Sequence, residues 1–150
     1  MRFLVTEECG RLARWLRLMG HDAELCATQP PLTELYRRAC NEQRVLLTRN
    51  RRINASCLFR VIHVERASLP DQLRQIVRDV PEAASGERFS RCDRCNAPLE
   101  SIEKALVKDR VPEFVYQTHS AFRTCPSCRR VYWAATHARR IAAVLDQLTP

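Results

Sequence analysis

The stretch RFLVTEECGRLARWLRLMGHDAEL, residues 2–25, predicts a strand, a helix and a second strand in close succession. Residues 2–5 form an apolar run of strand length, and residues 21–25 form a weaker one. Between them, apolar side chains recur at helical spacing over residues 9–19, and Gly20 is a residue type that commonly ends a helix. A strand, a helix and a strand in this order are the unit from which parallel α/β sheets are built.

The alternation continues through the first eighty residues of the chain. Residues 33–42 predict a second helix, and the apolar run at residues 44–48 is typical of a strand buried on both faces of a parallel sheet. Residues 60–64 predict another strand, and Ser68 is placed to cap a helix that ends before Pro81. We therefore expect an α/β fold with a mostly parallel sheet and helices on both faces.

Four cysteines fall in two C-x-x-C pairs that are separated by 29 residues: Cys92, Cys95, Cys125 and Cys128. Each pair is a tight turn that presents two sulfur atoms to one ion, and two such pairs match tetrahedral zinc. A closed shell of four sulfurs leaves no position for a substrate, so we expect the zinc to be structural. One pair alone would also fit a thioredoxin-like redox motif, and His119 or His137 could replace a cysteine as ligand.

The remaining cysteines need a different explanation. The start of the chain turns acidic at Glu7 and Glu8, unlike a signal peptide, and no apolar run is long enough to span a bilayer. We therefore expect a cytoplasmic protein, whose thiols stay reduced. The cysteines outside the pairs are then predicted to be buried small apolar residues: Cys9, Cys26, Cys40 and Cys57.

A polar segment at residues 81–88 divides the chain. We expect residues 1–85 to form the α/β domain. Residues 86–150 are then predicted to form a zinc ribbon followed by an amphipathic helix at residues 137–148.

The chain is basic, with 25 Lys and Arg against 17 Asp and Glu and a net charge of +8. A basic surface favours a polyanion as partner when its arginines are clustered. Two clusters follow predicted strands: Arg11, Arg14 and Arg17, then Arg49, Arg51 and Arg52. Ligand crevices of open α/β sheets lie at the carboxyl ends of the strands, so these arginines predict contacts with a nucleic-acid backbone. The alternative is a solvated helix face.

Three blocks of sequence carry a resemblance to a known family. The first consists of Phe3-Leu4-Val5, residues 10–17 and Gly20-His21-Asp22, and the second is Leu46-Leu47-Thr48-Arg49. The third surrounds the cysteine pairs and includes Arg91, Asn96, Leu99, Val111-Pro112, Phe122, Val131-Tyr132-Trp133 and His137. In order and spacing these blocks resemble the Mut-seven C-terminal RNase domain, over nearly the whole chain.

The resemblance implies a PIN-like α/β nuclease fold with a zinc ribbon, and RNA as the partner. In such folds, acidic residues at the carboxyl ends of the strands gather Mg²⁺ or Mn²⁺. The ion activates water and balances the charge on the scissile phosphate. The resemblance therefore implies metal-dependent hydrolysis of RNA.

The sequence departs from the family at the positions that would hold this metal. Thr6 stands directly after the first strand, and Asn50 ends the second motif, where the family typically has Asp. Asp22 is kept, and Glu34 remains from an acidic cluster before the second helix. A hydroxyl and an amide offer oxygen atoms without the negative charge that holds the ion. Glu7 lies one residue past Thr6, and a one-residue shift turns a side chain to the opposite face of a strand.

We therefore expect a ribonuclease-family protein whose catalysis is weakened or lost. The alternatives are an active ribonuclease with a rearranged site, and a non-catalytic RNA-binding or protein-interaction module stabilised by structural zinc.

Overall fold

The computed structural model describes residues 1–26, 28, 30–134 and 136–147, and for residues 136–140 the backbone alone. The first part of the chain alternates strands and helices: β1 (Arg2–Thr6), α1 (Gly10–Leu18), β2 (Asp22–Cys26), α2 (Leu32–Asn41), β3 (Val45–Thr48), β4 (Val61–His63) and α3 (Leu69–Asp79). None of the helices in these described ranges is long and apolar enough to cross a lipid bilayer.

The four strands form one parallel sheet in the order β2-β1-β3-β4. Phe3 on β1 lies opposite Ala23 on β2 and Val45 on β3, and Thr6 at the end of β1 lies opposite Cys26. Because all four strands run in the same direction, their carboxyl ends meet at one edge of the sheet. The predicted α/β fold with a mostly parallel sheet is confirmed.

The sheet is covered on both faces, because successive side chains of a strand point to opposite sides. On β1, Phe3 and Val5 point into a core shared with α1, to which Leu12 also belongs. Leu4 points the other way, into a core shared with α2, beside Leu35. All five side chains are at most 4% exposed. Burial on both faces explains the unbroken apolar runs in the sequence.

The C-terminal part contains an antiparallel sheet of three short strands in sequence order: β5 (Glu100–Ile102), β6 (Phe122–Thr124) and β7 (Val131–Tyr132). Between β5 and β6 lie a 3-10 helix at Lys104–Arg110 and a short helix, α4 (Glu113–Thr118), neither of which the sequence analysis predicts. Val107, Val111 and Phe122 form a small hydrophobic core of this ribbon.

The last helix, α5 (Thr136–Asp146), returns to the α/β sheet. Ile141 and Leu145 are buried in the same core as Phe3. The sequence analysis groups this helix with the ribbon and extends it to Leu148, which lies outside the described residues. The division into two domains stays a prediction, and the packing of α5 joins the two predicted domains in one core.

Residues 81–88, predicted as a polar linker, pack closely against the turn between α1 and β2. The first half of this segment is a 3-10 helix, and Ala83 O lies 2.8 Å from Nε2 of the buried His21. Further along, a Cβ atom at Gly86 would overlap the carbonyl oxygen of Met19. The segment is therefore an integral part of the fold.

The cysteines outside the pairs differ in burial. Cys9 and Cys26 are buried, as predicted, and Cys40 is half-buried, but Cys57 is exposed. Cys57 lies in the loop that joins β3 and β4, and such loops run over the protein surface. The prediction of burial is therefore wrong for Cys57.

We expect Gly86→Ala to destabilise the protein by about 1–3 kcal/mol, because the added methyl group meets the Met19 backbone and the ring of the buried His21, neither of which can move easily. Gly10→Ala is the matched control: its Cβ would meet only Leu25 methyl groups, at 3.7 and 3.8 Å, in helical backbone. That control should be neutral or stabilising by up to about 1 kcal/mol. Urea denaturation followed by circular dichroism measures the free energy of unfolding of each variant. Equal stability of the two variants would show that residues 81–88 are a loose linker.

Candidate functional site

The four paired cysteines converge on one point. Their Sγ atoms lie within 4.8 Å of one another, and those of Cys92 and Cys128 are 3.7 Å apart. A tetrahedral zinc ion with Zn–S bonds of about 2.3 Å places its sulfur ligands about 3.8 Å apart. The quartet therefore has the geometry to hold a metal ion such as zinc.

Both cysteine pairs are built as the same tight turn. Cys95 N donates to Cys92 Sγ at 3.3 Å, and the equivalent bond in the second pair is 3.5 Å long. The residue after each pair, Asn96 or Arg129, has a positive φ, of 68° or 58°. This left-handed backbone is easier for asparagine than for arginine.

Four thiols this close together cannot all ionise without a cation. The hydrogen bond with Cys128, then burial and the hydrogen bond with Cys92, raise the pKa of Cys95 to about 12. A metal ion removes this obstacle because it attracts all four thiolates and displaces their protons. The chemistry of the donor set therefore also fits a bound metal.

The two histidines considered as ligands do not change this assignment. His119 Nδ1 lies 2.9 Å from Thr118 Oγ1, and Nε2 lies 3.2 Å from Ala134 O, so both ring nitrogens have other partners. The side chain of His137 lies outside the described part of the chain.

A buried arginine joins the first cysteine turn to α1. Arg17 is 8% exposed. Its guanidinium donates to two carbonyl oxygens of the turn, Asp93 O at 3.1 Å and Arg94 O at 2.7 Å. It also donates to Ala23 O on β2 at 2.8 Å. One helical turn earlier, Arg14 Nε donates to Asp93 Oδ2 at 2.7 Å.

These contacts correct the predicted nucleic-acid-binding cluster on α1. Arg17 is buried and its Nε and Nη1 donate to backbone carbonyls, so it is poorly placed to contact a phosphate backbone, and Arg14 is paired with Asp93. Helical spacing identifies the polar side of α1 but not whether solvent or another segment covers it. Of the three predicted arginines, Arg11 lies in the first turn of the helix, nearest the carboxyl end of β1.

Asp22 lies at the opposite end of the sheet from Thr6. It begins β2 opposite Arg2, whereas Thr6 ends β1 opposite Cys26, four residues further along. At about 3.3 Å per residue, the two positions are about 13 Å apart. Asp22 therefore cannot share one metal ion with Thr6, and its predicted catalytic role finds no support in this geometry.

Asp22 instead belongs to a buried ion pair. The Arg44 side chain, 6% exposed, donates to Asp22 Oδ1 at 2.9 Å and Oδ2 at 3.1 Å. Asn96 Nδ2, from the first cysteine turn, donates to Oδ1 at 2.6 Å. Burial by itself would raise the pKa of Asp22, but the hydrogen bonds from Arg44 and Asn96 outweigh it and lower the pKa to about 2.

The carboxyl ends of β1 and β3 hold a carboxylate that the sequence analysis misses. Glu8 Oε1 accepts hydrogen bonds from Thr6 Oγ1 at 2.6 Å and from Thr48 Oγ1 at 2.9 Å. It accepts a third from Arg49 N at 3.0 Å. Burial by itself would raise the pKa of Glu8, but these hydrogen bonds lower it, so the carboxylate is ionised at neutral pH.

The turn that follows β1 places Glu8 at this position. A 3-10 helix, Glu7–Cys9, begins directly after Thr6 and returns the chain across the end of the strand. The sequence carries no clear signal for this arrangement, because β1 ends at Thr6 and the alternation of strand side chains does not extend into the 3-10 helix.

Thr6 and Asn50, two of the predicted catalytic residues, meet in the same hydrogen-bond network. Asn50 N donates to Thr48 Oγ1 at 3.1 Å. Asn50 Oδ1 accepts from Arg52 N at 3.0 Å, so the amide also shapes its own loop. The structure thus joins the Thr6 hydroxyl and the Asn50 backbone N to one network at the carboxyl ends of β1 and β3.

Glu34 is separate from this network. It lies in the first turn of α2 and pairs with Arg37 at 2.7 Å. In the described part of the chain, the cysteine quartet is the single group of three or more Cys, His, Asp or Glu whose ligand atoms converge. The strand ends therefore present no preformed acidic cluster for Mg²⁺ or Mn²⁺.

A cleft of about 530 Å³ opens beside Glu8. One wall is the 3-10 helix after β1 with the first turn of α1, which contributes Arg11. The other wall is the start of α3 at Ser68, and Arg49 lines the cleft from the end of β3. Two of the predicted nucleic-acid-binding arginines therefore share one cleft with the carboxylate.

We expect Cys125→Ser to loosen α1 as well as the ribbon, because Arg14 and Arg17 bond to the first cysteine turn. Elemental analysis should show one zinc per chain before the change and little after it. Hydrogen exchange of the α1 amides should become at least about tenfold faster. Cys57→Ser, the same change at an exposed cysteine, is the matched control. It should alter neither the zinc content nor the exchange rates of the α1 amides. Unchanged protection of α1 in Cys125→Ser would show that the two parts unfold independently.

Residues 1–145 match the family model of the Mut7-C RNAse domain. No curated protein and no solved structure matches the chain. The match includes the parallel sheet, the strand-end site and both cysteine turns. The chain therefore belongs to the Mut7-C RNAse domain family.

Proposed function

We propose that this chain is a cytoplasmic RNA-binding protein of the RNase family, with a structural zinc ion and with weak or lost metal-dependent cleavage. The observation that carries this proposal is the strand-end network. There a single carboxylate, Glu8, is surrounded by the neutral side chains of Thr6 and Thr48, with Asn50 bonded beside them.

The loss of catalysis follows from the charge that a hard cation needs. Mg²⁺ and Mn²⁺ are held beside a scissile phosphate by several negative oxygen ligands. Here, among the described residues, Glu8 is the one carboxylate bonded to the carboxyl ends of β1 and β3, and its Oε1 atom already accepts three hydrogen bonds. The resemblance implies carboxylates at the positions of Thr6 and Asn50. Without them the ion binds weakly and water is poorly activated.

Binding of RNA is supported by the distribution of unpaired arginines. Arginines elsewhere in the α/β part bond to carboxylates or carbonyl oxygens: Arg2, Arg14, Arg17, Arg37, Arg38, Arg44, Arg60, Arg74 and Arg78. Within the described ranges, five others have no such side-chain partner: Arg11, Arg49, Arg51, Arg52 and Arg66. All five follow the carboxyl ends of β1, β3 or β4.

Unpaired guanidinium groups at one edge of a sheet suit a phosphate backbone. Their charge is not neutralised by neighbouring carboxylates, and their fork geometry matches phosphate oxygens. Release of counterions from the nucleic acid adds a favourable, salt-dependent contribution that does not depend on sequence. We therefore place the RNA track along the carboxyl ends of the strands.

Exposed apolar side chains favour a second candidate, a protein-interaction module. Phe114 is 72% exposed and Leu106 is 63% exposed, and both lie in the insertion between the cysteine pairs. Large exposed apolar side chains often mark a surface that a partner covers.

The double change Thr6→Asp with Asn50→Asp should raise Mn²⁺-dependent RNase activity well above that of the unaltered chain. The two new carboxylates would share the strand end with Glu8 and supply the missing charge. Three carboxylates repel one another without an ion, so Mn²⁺ should also raise the melting temperature of this variant. Either single change should do much less, because ligands of one ion act together.

The matched control is Thr33→Asp with Asn41→Asp, the same changes at exposed positions of α2, which should gain neither activity nor Mn²⁺-dependent stability. Strong Mn²⁺-dependent cleavage by the unaltered chain, abolished by Glu8→Gln, would contradict the proposed loss of catalysis.

The triple change Arg49, Arg51 and Arg52 to Gln should weaken binding of single-stranded RNA and flatten its dependence on salt. Three lost phosphate contacts should reduce the slope of log affinity against log salt by about 2. Fluorescence anisotropy over a range of KCl concentrations measures this slope.

The matched control changes Arg37, Arg74 and Arg78 to Gln, which removes the same net charge from side chains that are paired with carboxylates. An equal effect of the two triple variants would mean that net charge alone attracts RNA. If RNA affinity changes neither with the salt concentration nor with the triple change of Arg49, Arg51 and Arg52, the protein-interaction module is favoured.

A further inference from the structure

Arg49 carries a buried donor without an acceptor. Its backbone N donates to Glu8 Oε1 at 3.0 Å, which holds the residue at the end of β3. Its side-chain Nε is buried and has no hydrogen-bond partner in the described part of the chain. Such a group is unfavourable unless an acceptor arrives, and a ligand is one explanation for it. Arg49 also lines the cleft beside Glu8.

Arg11 lines the same cleft with a second unpaired guanidinium. It differs from Arg14 and Arg17 on the same helix, whose side chains bond to the first cysteine turn. The cleft is therefore lined by two arginines whose side chains have no hydrogen-bond or ion-pair partner among the described residues.

The cleft also carries negative charge, which limits what it can bind. Glu7 and Glu8 line it together with the two arginines. The three hydrogen bonds that Glu8 accepts all go to Oε1, so none of them uses Oε2. A simple anion would be attracted by the arginines and repelled by the carboxylates. A ligand with an anionic group and a hydroxyl donor satisfies both halves of the cleft.

A ribonucleotide has both groups. We propose that the cleft binds one ribonucleotide unit, its phosphate through Arg11 and Arg49 and its ribose hydroxyl through Glu8. The volume of about 530 Å³ lies in the range of small-ligand sites. A protein distinguishes RNA from DNA by contacts with the 2′-hydroxyl, and a carboxylate is a strong acceptor for it. The proposal deepens the RNA-binding function above and rests on it for the choice of a nucleotide.

The first test observes Arg49 directly in the unaltered chain. The Nε–Hε signal of Arg49 in nitrogen–proton correlation spectra should shift saturably when 3′-AMP or 5′-AMP is added. Whichever of the two nucleotides binds more tightly identifies the side of the ribose that carries the bound phosphate. NaCl at matched ionic strength should not shift it. Arg11→Gln should weaken nucleotide binding about tenfold or more, because a charge-assisted hydrogen bond is lost. Arg74→Gln, on a paired arginine of α3, is the control. Absence of a saturable shift would overturn the proposal.

The second test concerns the sugar. The unaltered chain should bind the ribonucleotide about tenfold or more tightly than the matching 2′-deoxyribonucleotide. Glu8→Gln should bring that ratio close to one while the Arg49 signal still responds to both. Equal binding of the two sugars by the unaltered chain would overturn the role of Glu8.

The outcomes separate this proposal from the RNA track. If mononucleotides saturate the cleft but the double change Arg51→Gln with Arg52→Gln leaves long RNA bound with the same salt slope, the subsite stands and the track fails. If the affinity for long RNA falls with salt concentration as expected, but the Arg49 Nε–Hε signal does not shift when mononucleotides are added, the track stands and the subsite is refuted.

Discussion

The arrangement of this chain depends on the buried guanidinium of Arg17. A buried charge is tolerated only when its donors find acceptors, and this group bonds to carbonyl oxygens of β2 and of the first cysteine turn. Burial lowers the pKa of Arg17, and the negative groups at Cys92 and Asp93 oppose that effect. Helix, strand and cysteine turn must therefore be in place together for the charge to be accommodated.

The same helix connects the metal centre with the strand-end cleft. Its last turn contacts the first cysteine turn through Arg17, and its first turn lines the cleft through Arg11. A short helix moves largely as a unit, so the position of Arg11 follows from how firmly the other end is held. A metal ion held by the cysteine quartet would thus also affect the cleft at the other end of the helix.

Local patterns in the sequence predict most of the secondary structure. The apolar runs give β1 and β3, and the Ser68 cap is confirmed by its hydrogen bond from Asp71 N. The cysteine spacing predicts the metal centre because two tight turns need no other part of the chain to define them. The short helix α4 is missed, since its six residues carry too little periodicity to identify it.

What the sequence does not reveal depends on distant contacts. The exclusion of Asp22 from the site follows from the register of β2 on β1, and the burial of Arg17 follows from a segment about 76 residues away. The role of Glu8 depends on a three-residue turn that propensity cannot distinguish from the start of a helix. The contact of α5 with the first strand has a consequence for biosynthesis. Because Ile141 and Leu145 cover the same core as Phe3, the sheet emerges from the ribosome before the helix that covers it. Such distant contacts slow folding, and the nascent chain exposes this apolar surface, which favours aggregation, until α5 has been synthesised.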